Sequence, residues 1–135
     1  MSIRRAPRYA SAIVALVLTA STLQIAQAAN FSGKWAFSGQ IMGPTVAITT
    51  SPVCVLRQSG NRLTGSCRGP NAIGAAAGSV SGPVMILQWK TIPTTSRGVR
   101  TVITMRGRLG SDGIVRGTLN AAGMIRTGTF SGQRV

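Results

Sequence analysis

The stretch from Cys54 to Cys67 constrains this chain more than any other. It reads Cys-Val-Leu-Arg-Gln-Ser-Gly-Asn-Arg-Leu-Thr-Gly-Ser-Cys, two alternating runs on either side of Gly60-Asn61. If Gly60-Asn61 is a two-residue hairpin loop, Ser59 stands opposite Arg62, Gln58 opposite Leu63, and Cys54 opposite Cys67. Pairs alternate outward from a hydrogen-bonded 59/62 pair, so 54/67 is a non-hydrogen-bonded pair with α-carbons about 4.5 Å apart. That is at the short end of what a disulfide tolerates. The same register puts Leu56 and Leu63 on the cysteine face, with Arg57, Arg62, Thr64 and Ser66 on the other. Register and polarity agree independently, so a structural Cys54–Cys67 bridge is expected, contributing about 2–3 kcal/mol. A redox or metal role finds no support: there is no Cys-x-x-Cys, and zinc would want further ligands.

The chain from residue 29 onward has the same texture. Short alternating runs rich in Val, Ile and Thr are separated by Gly, Ser, Asn and Pro, with no convincing helical stretch. Val99 to Leu109 sets Val99, Thr101, Ile103, Met105 and Leu109 against Arg100, Thr104, Arg106 and Arg108, one face for a core and one for water. Lys34 to Ile41 groups Trp35, Phe37 and Ile41. Thr45 to Thr50 offers Val46 and Ile48, and Ile114 to Leu119 offers Val115 and Leu119. Val84 to Ile92 groups Met85, Leu87 and Trp89, while Val84 and Ile86 make its reverse face apolar too and suggest a subunit contact. Met124 to Phe130 needs a bulge or an inward Arg126. Asn71 to Gly78 reads as an Ala/Gly loop, and Pro93 to Gly98 as a second loop. Turn chemistry falls at Ser81-Gly82-Pro83, Gly110 to Gly113 and Ala121-Ala122-Gly123. The expected fold is all-β, a small antiparallel up-and-down barrel of about eight strands with one disulfide. A two-sheet sandwich is the competitor.

The first 28 residues read as a secretory signal. Arg4, Arg5 and Arg8 form a basic start, Ala12 to Leu18 is an apolar run too short to span a membrane, and Ala26-Gln27-Ala28 is a cleavage site. Export to the periplasm or medium follows, with residues 29–135 as a single β-barrel domain. An oxidising compartment suits the paired cysteines.

The chain has no histidine, no glutamate and one acid, Asp112, against fifteen Lys plus Arg, for a net charge of +14. Loss of Arg4, Arg5 and Arg8 with the signal leaves +11. Acid–base and metal chemistry need groups that exchange protons near neutrality or coordinate cations. Asp112 sits alone in a turn sequence, so an enzyme is not expected, and no metal or cofactor is implied. Arg57, Arg62, Arg68, Arg100, Arg106 and Arg108 are expected on solvent faces or strand ends, where they raise a positive field. That field suits an anionic polysaccharide or lipid surface, and the alternative is a solvated arginine-rich surface without a partner. Nucleic acid is disfavoured, because few aromatics interleave with the basic residues. Trp35, Phe37 and Trp89 are candidates to line a small-ligand cavity, or to fill the core.

Three motifs carry a resemblance. Phe31-Ser-Gly-Lys-Trp35, Leu63-Thr-Gly-Ser66 and Leu87-Gln-Trp-Lys90 resemble strands of the calycin-like barrels, avidin and its relatives in particular. The order of Trp35, the cysteine pair and Trp89 is also similar to bacterial metalloprotease inhibitors, which are exported eight-stranded barrels with one disulfide. The resemblance implies architecture. The polar biotin-binding set of avidin is largely absent, since the chain after residue 28 has no tyrosine and its one acid lies in a turn. Three functions follow: binding an anionic envelope component or small ligand, inhibiting an exported protease, or self-association through Val84 to Ile92.

Overall fold

The computed structural model describes residues 29–42, 47–123 and 127–135. The described residues form nine strands and no helix: β1 (Gly33–Met42), β2 (Ala47–Thr50), β3 (Val53–Ser59), β4 (Arg62–Arg68), β5 (Ala72–Ser81), β6 (Val84–Pro93), β7 (Thr101–Leu109), β8 (Val115–Ala121) and β9 (Gly128–Arg134). Neighbours from β3 to β9 pair antiparallel in chain order. β1 then pairs with both β3 and β9, from Trp35↔Arg134 to Gln40↔Thr129, and eight strands close into a barrel. The alternative of two stacked sheets is thereby excluded. The segment 1–28, Val46 and the run Met124 to Arg126 lie outside the described residues, and with them the signal segment and the orientation of Arg126.

The extra strand, β2, has a local cause. It follows the same register on β1 as β3 does, with Gly39 opposite Thr50 and Ala36 opposite Val53. Between them Phe37 N–H donates to the carbonyl of buried Pro52 at 2.9 Å. Proline has no N–H to return. The ladder lapses for want of one donor, and what would be a single long strand is divided in two.

The hairpin of β3 and β4 matches the arithmetic of its turn. Ser59 opposes Arg62, Gln58 opposes Leu63 and Cys54 opposes Cys67. The two cysteines are bonded, with α-carbons 4.0 Å apart. Leu56 and Leu63 are buried on their face, while Arg57, Arg62, Thr64 and Ser66 are exposed.

Three expectations need correction. Asn71 to Gly78 is not a loop, since all of it but Asn71 belongs to β5, which begins at Ala72 and pairs with β4 and β6. Alternation was invisible there because Ala and Gly occupy both faces. Their small size is what packing requires: Ala76 stands opposite Trp89, and Gly78 opposite Leu63 and Leu87. Val99 is not on a core face but in the β6–β7 loop, 81% exposed. The ladder stops at Thr91↔Thr101, where the Thr91 hydroxyl accepts from Thr101 N–H at 3.0 Å and donates to Thr101 O at 3.1 Å. Ile48 shares the inward face of its partner Ile41 but lies at the barrel end, 48% exposed. Val84 and Ile86 are half-buried outside, beside Arg108 and Arg106 on β7, whose aliphatic stems can cover such neighbours.

The interior is solid. Trp35, Phe37, Ile41, Leu56, Leu63, Met85, Leu87, Trp89, Met105, Leu119 and Phe130 are all buried in one cluster. Glycines on the inner face leave them room: Phe130 faces Gly39 and Gly117, and Phe37 faces Gly132. A β-carbon at Gly107 would sit 2.6 Å from Val115 Cγ1 and 2.7 Å from Phe130 Cζ. One end of the barrel is stoppered. Phe31 is fully buried there, its N–H bound to Gln58 Oε1 at 2.8 Å and its carbonyl accepting from Trp35 Nε1 at 2.9 Å. Arg134 lies over the Trp35 ring, 4.9 Å from its centroid, and donates to the Asn30 carbonyl.

Two stability effects are expected in denaturant titration. Replacing both Cys54 and Cys67 by alanine lowers unfolding free energy by about 3 kcal/mol, the loop-closure value for so short a loop. Gly107→Ala, which overfills the core without touching the bridge, costs about 1–3 kcal/mol.

Candidate anion-binding surface

Strand alternation sends the basic side chains outward. Arg57, Arg62, Arg68, Arg106 and Arg108 stand exposed on β3, β4 and β7, and Arg100 is exposed in the β6–β7 loop. Lys34, Lys90, Arg97, Arg116 and Arg134 join them. Lys34 and Lys90 were legible as the residues beside Trp35 and Trp89, because a neighbour of an inward tryptophan on a strand must point out.

The register shows which of them meet. Arg57 opposes Thr64 and Arg62 opposes Ser59, which makes Arg57 and Arg62 diagonal neighbours. Arg108 is directly opposite Arg116, a like-charge pair that is unfavourable by itself. Asp112, in the turn between these strands, relieves it. Its Oδ2 lies 2.8 Å from Arg116 Nη2, and Oδ1 accepts from Arg116 Nη1 at 3.3 Å and from Ile114 N–H at 3.1 Å. The one acid of the sequence is therefore already committed to one arginine. The surface charge is also one-sided. Ser38 and Gln40 on β1 and Thr129, Ser131 and Gln133 on β9 make a neutral polar face.

Several depressions interrupt this surface, and two of them carry exposed large apolar side chains. A shallow groove of about 630 Å³ crosses the outside of β3 to β5, with Val53, Val55 and Ile73 along it and Lys34 and Arg68 among its polar lining. A cleft of about 270 Å³ opens at the barrel end opposite the stopper, between β2, the β4–β5 turn and the β6–β7 loop. Ile48, Trp89, Thr91, Val99 and Ile103 contribute to it.

The three aromatic candidates do not come together. Trp35 and Phe37 stack at 6.2 Å in the packed core toward the stoppered end, and Phe37 meets Phe130 edge-on at 5.9 Å. Trp89 lies at the floor of the cleft, its ring edge against Gly69, and its buried indole N–H has no hydrogen-bond partner among the described residues. Both cysteines are joined to each other, and among the described residues no three His, Cys, Asp or Glu side chains gather as metal ligands. No protein-family model matches the chain, and no curated protein matches it.

The Asp112 carboxyl is held below its ordinary value of 3.8, first by the Arg116 hydrogen bonds and then by the Ile114 amide. Arg116 is raised in turn by Asp112. Because the folded-state pKa is lowered, the interaction is present above the unfolded carboxylate value and is lost as pH falls through the lowered folded one. A carboxyl-carbon NMR titration should place the Asp112 midpoint below 3.8, and Arg116→Ala should move it upward.

Proposed function

We propose that this chain is an exported, non-enzymatic β-barrel protein that binds anionic components of the cell envelope through its cationic outer surface. The observation that carries the reading is the charge ledger: eleven exposed basic side chains among the described residues, against one acid that is already paired with Arg116. Such a field draws polyanions and raises their local concentration. The filled interior supports binding on the outside, since Trp35 and Phe37 are spent on packing. The exposed, ion-paired Asp112 stands in a turn without a second proton-exchanging group hydrogen-bonded to it, which supports recognition without catalysis. The closed eight-stranded meander, with Trp35 in β1 and Trp89 in β6, supports kinship with calycin-like barrels. The disulfide supports an oxidising compartment.

The purified protein is expected to be retained on immobilised heparin and on lipopolysaccharide at low ionic strength, and to elute with salt. Arg57→Ala/Arg62→Ala should elute at lower salt than the parent, while Ser131→Ala on the neutral face should not change the profile. Passage through both columns unretained at low salt would sink the proposal.

A further inference from the structure

Exposed apolar side chains on a small protein are ordinary when scattered. Here they are not scattered. Among the described residues seven large apolar side chains are exposed: Met42, Ile48, Val55, Ile73, Ile92, Val99 and Val135. Five of them lie at the cleft-bearing end of the barrel. Met42 ends β1, Ile48 is the second residue of β2, Ile73 the second of β5, Ile92 the penultimate residue of β6, and Val99 lies in the β6–β7 loop. Ile73 and Ile92 are cross-strand partners, so they form one continuous patch below the rim. The opposite end is built differently, from the tight turns at Gly60-Asn61 and Gly82-Pro83 and the Asp112 turn.

Charge follows the same polarity. Arg68 ends β4 beside the β4–β5 turn and is register partner to Ile73, while Arg97 and Arg100 stand in the β6–β7 loop next to Val99. All three are exposed. The one acid is at the far end, on the β7–β8 turn, so nothing at this rim neutralises them. An apolar tip flanked by three arginines and free of carboxylates has the two complements of an anionic bilayer: side chains that leave water for the acyl boundary, and guanidinium groups at the depth of the phosphates.

We infer that this end of the barrel docks on an anionic lipid bilayer, inserting Met42, Ile48 and Val99 while Arg68, Arg97 and Arg100 engage lipid phosphates. The inference rests on the anion-binding reading above and gives it a face, an orientation and a partner. A soluble polyanion needs the charge but has no use for the apolar rim, and this difference separates the two claims experimentally.

The test compares the purified protein with the variant Met42→Ser/Ile48→Ser/Val99→Ser. These exposed positions lie outside the packed core, and far-UV circular dichroism with an intact disulfide verifies the fold. Co-sedimentation is measured with vesicles of phosphatidylglycerol and phosphatidylcholine, and with vesicles of phosphatidylcholine alone. Heparin retention is measured in parallel. The parent should partition onto the phosphatidylglycerol vesicles and not onto pure phosphatidylcholine. The variant should lose that partition by roughly tenfold or more while keeping its heparin elution. Val135→Ser, at the stoppered end, should leave both unchanged. Vesicle binding that is insensitive to the three serines, or equal on neutral vesicles, overturns the docking end while heparin retention leaves the charge reading standing. A concentration-dependent dimer in sedimentation equilibrium that the three serines abolish also overturns it, since a second copy would then be the occupant. Failure on heparin itself removes the charge reading.

Discussion

Closure of the barrel depends on β9 lying against β1, and it can lie there because glycine stands opposite each of the two phenylalanine rings at the seam. Gly132 faces Phe37, and Gly39 faces Phe130, which is flanked on its other side by Gly117. A β-carbon at Gly39 would collide with Leu119 and crowd Phe130, and one at Gly132 would collide with Phe37. So small a cylinder cannot hold a full complement of large side chains on every inward position. Pairing Phe37 and Phe130 with residues that have no side chain lets the strands approach to hydrogen-bonding distance while the interior stays filled. The same device recurs across β5, where Ala76 and Gly78 give way to Trp89, Leu63 and Leu87.

A filled interior displaces any recognition to the outside and the ends. At one end the chain closes itself: Ala29 N–H reaches Gly82 O at 2.9 Å, Phe31 plugs the opening, and Val135 N–H meets Lys34 O at 3.0 Å. The other end keeps a cleft and an apolar rim. The asymmetry arises from which loops the strands carry. Short polar turns serve the stoppered end, and the longer β6–β7 connection, with Arg97, Val99 and Arg100, serves the open one. Outward positions of β3, β4, β7 and β8 carry arginine, while β9 and its partner β1 carry Ser, Thr and Gln beyond Lys34, so the barrel has a charged flank and a neutral one.

Much of this was legible residue by residue. Period-two alternation placed Trp35, Phe37, Met85, Leu87, Trp89, Met105, Val115 and Leu119 inside, and all are buried. It placed Arg57, Arg62, Arg106 and Arg108 outside for the same reason, that successive side chains on a strand leave on opposite faces. Where the pattern failed, its carrier was missing. β5 has too little side chain to alternate, and Val99 continues the parity of β7 beyond the point where Thr91 ends the ladder. The division of β2 from β3 was written in Pro52, but only in the presence of its partner Phe37 does the lost donor matter.

By itself the sequence determined the things that depend on neighbours along the chain: strand alternation, the β3–β4 register, the Cys54–Cys67 bond and the excess of positive charge. These are set by turn length, by side-chain parity and by composition, none of which needs a distant partner. Only the tertiary structure decided that the sheet closes, that the barrel is filled, and that Met42, Ile48, Ile73, Ile92 and Val99 gather at one end with Arg68, Arg97 and Arg100. Those facts depend on strands far apart in the chain being brought side by side, and no local pattern records which ends will meet.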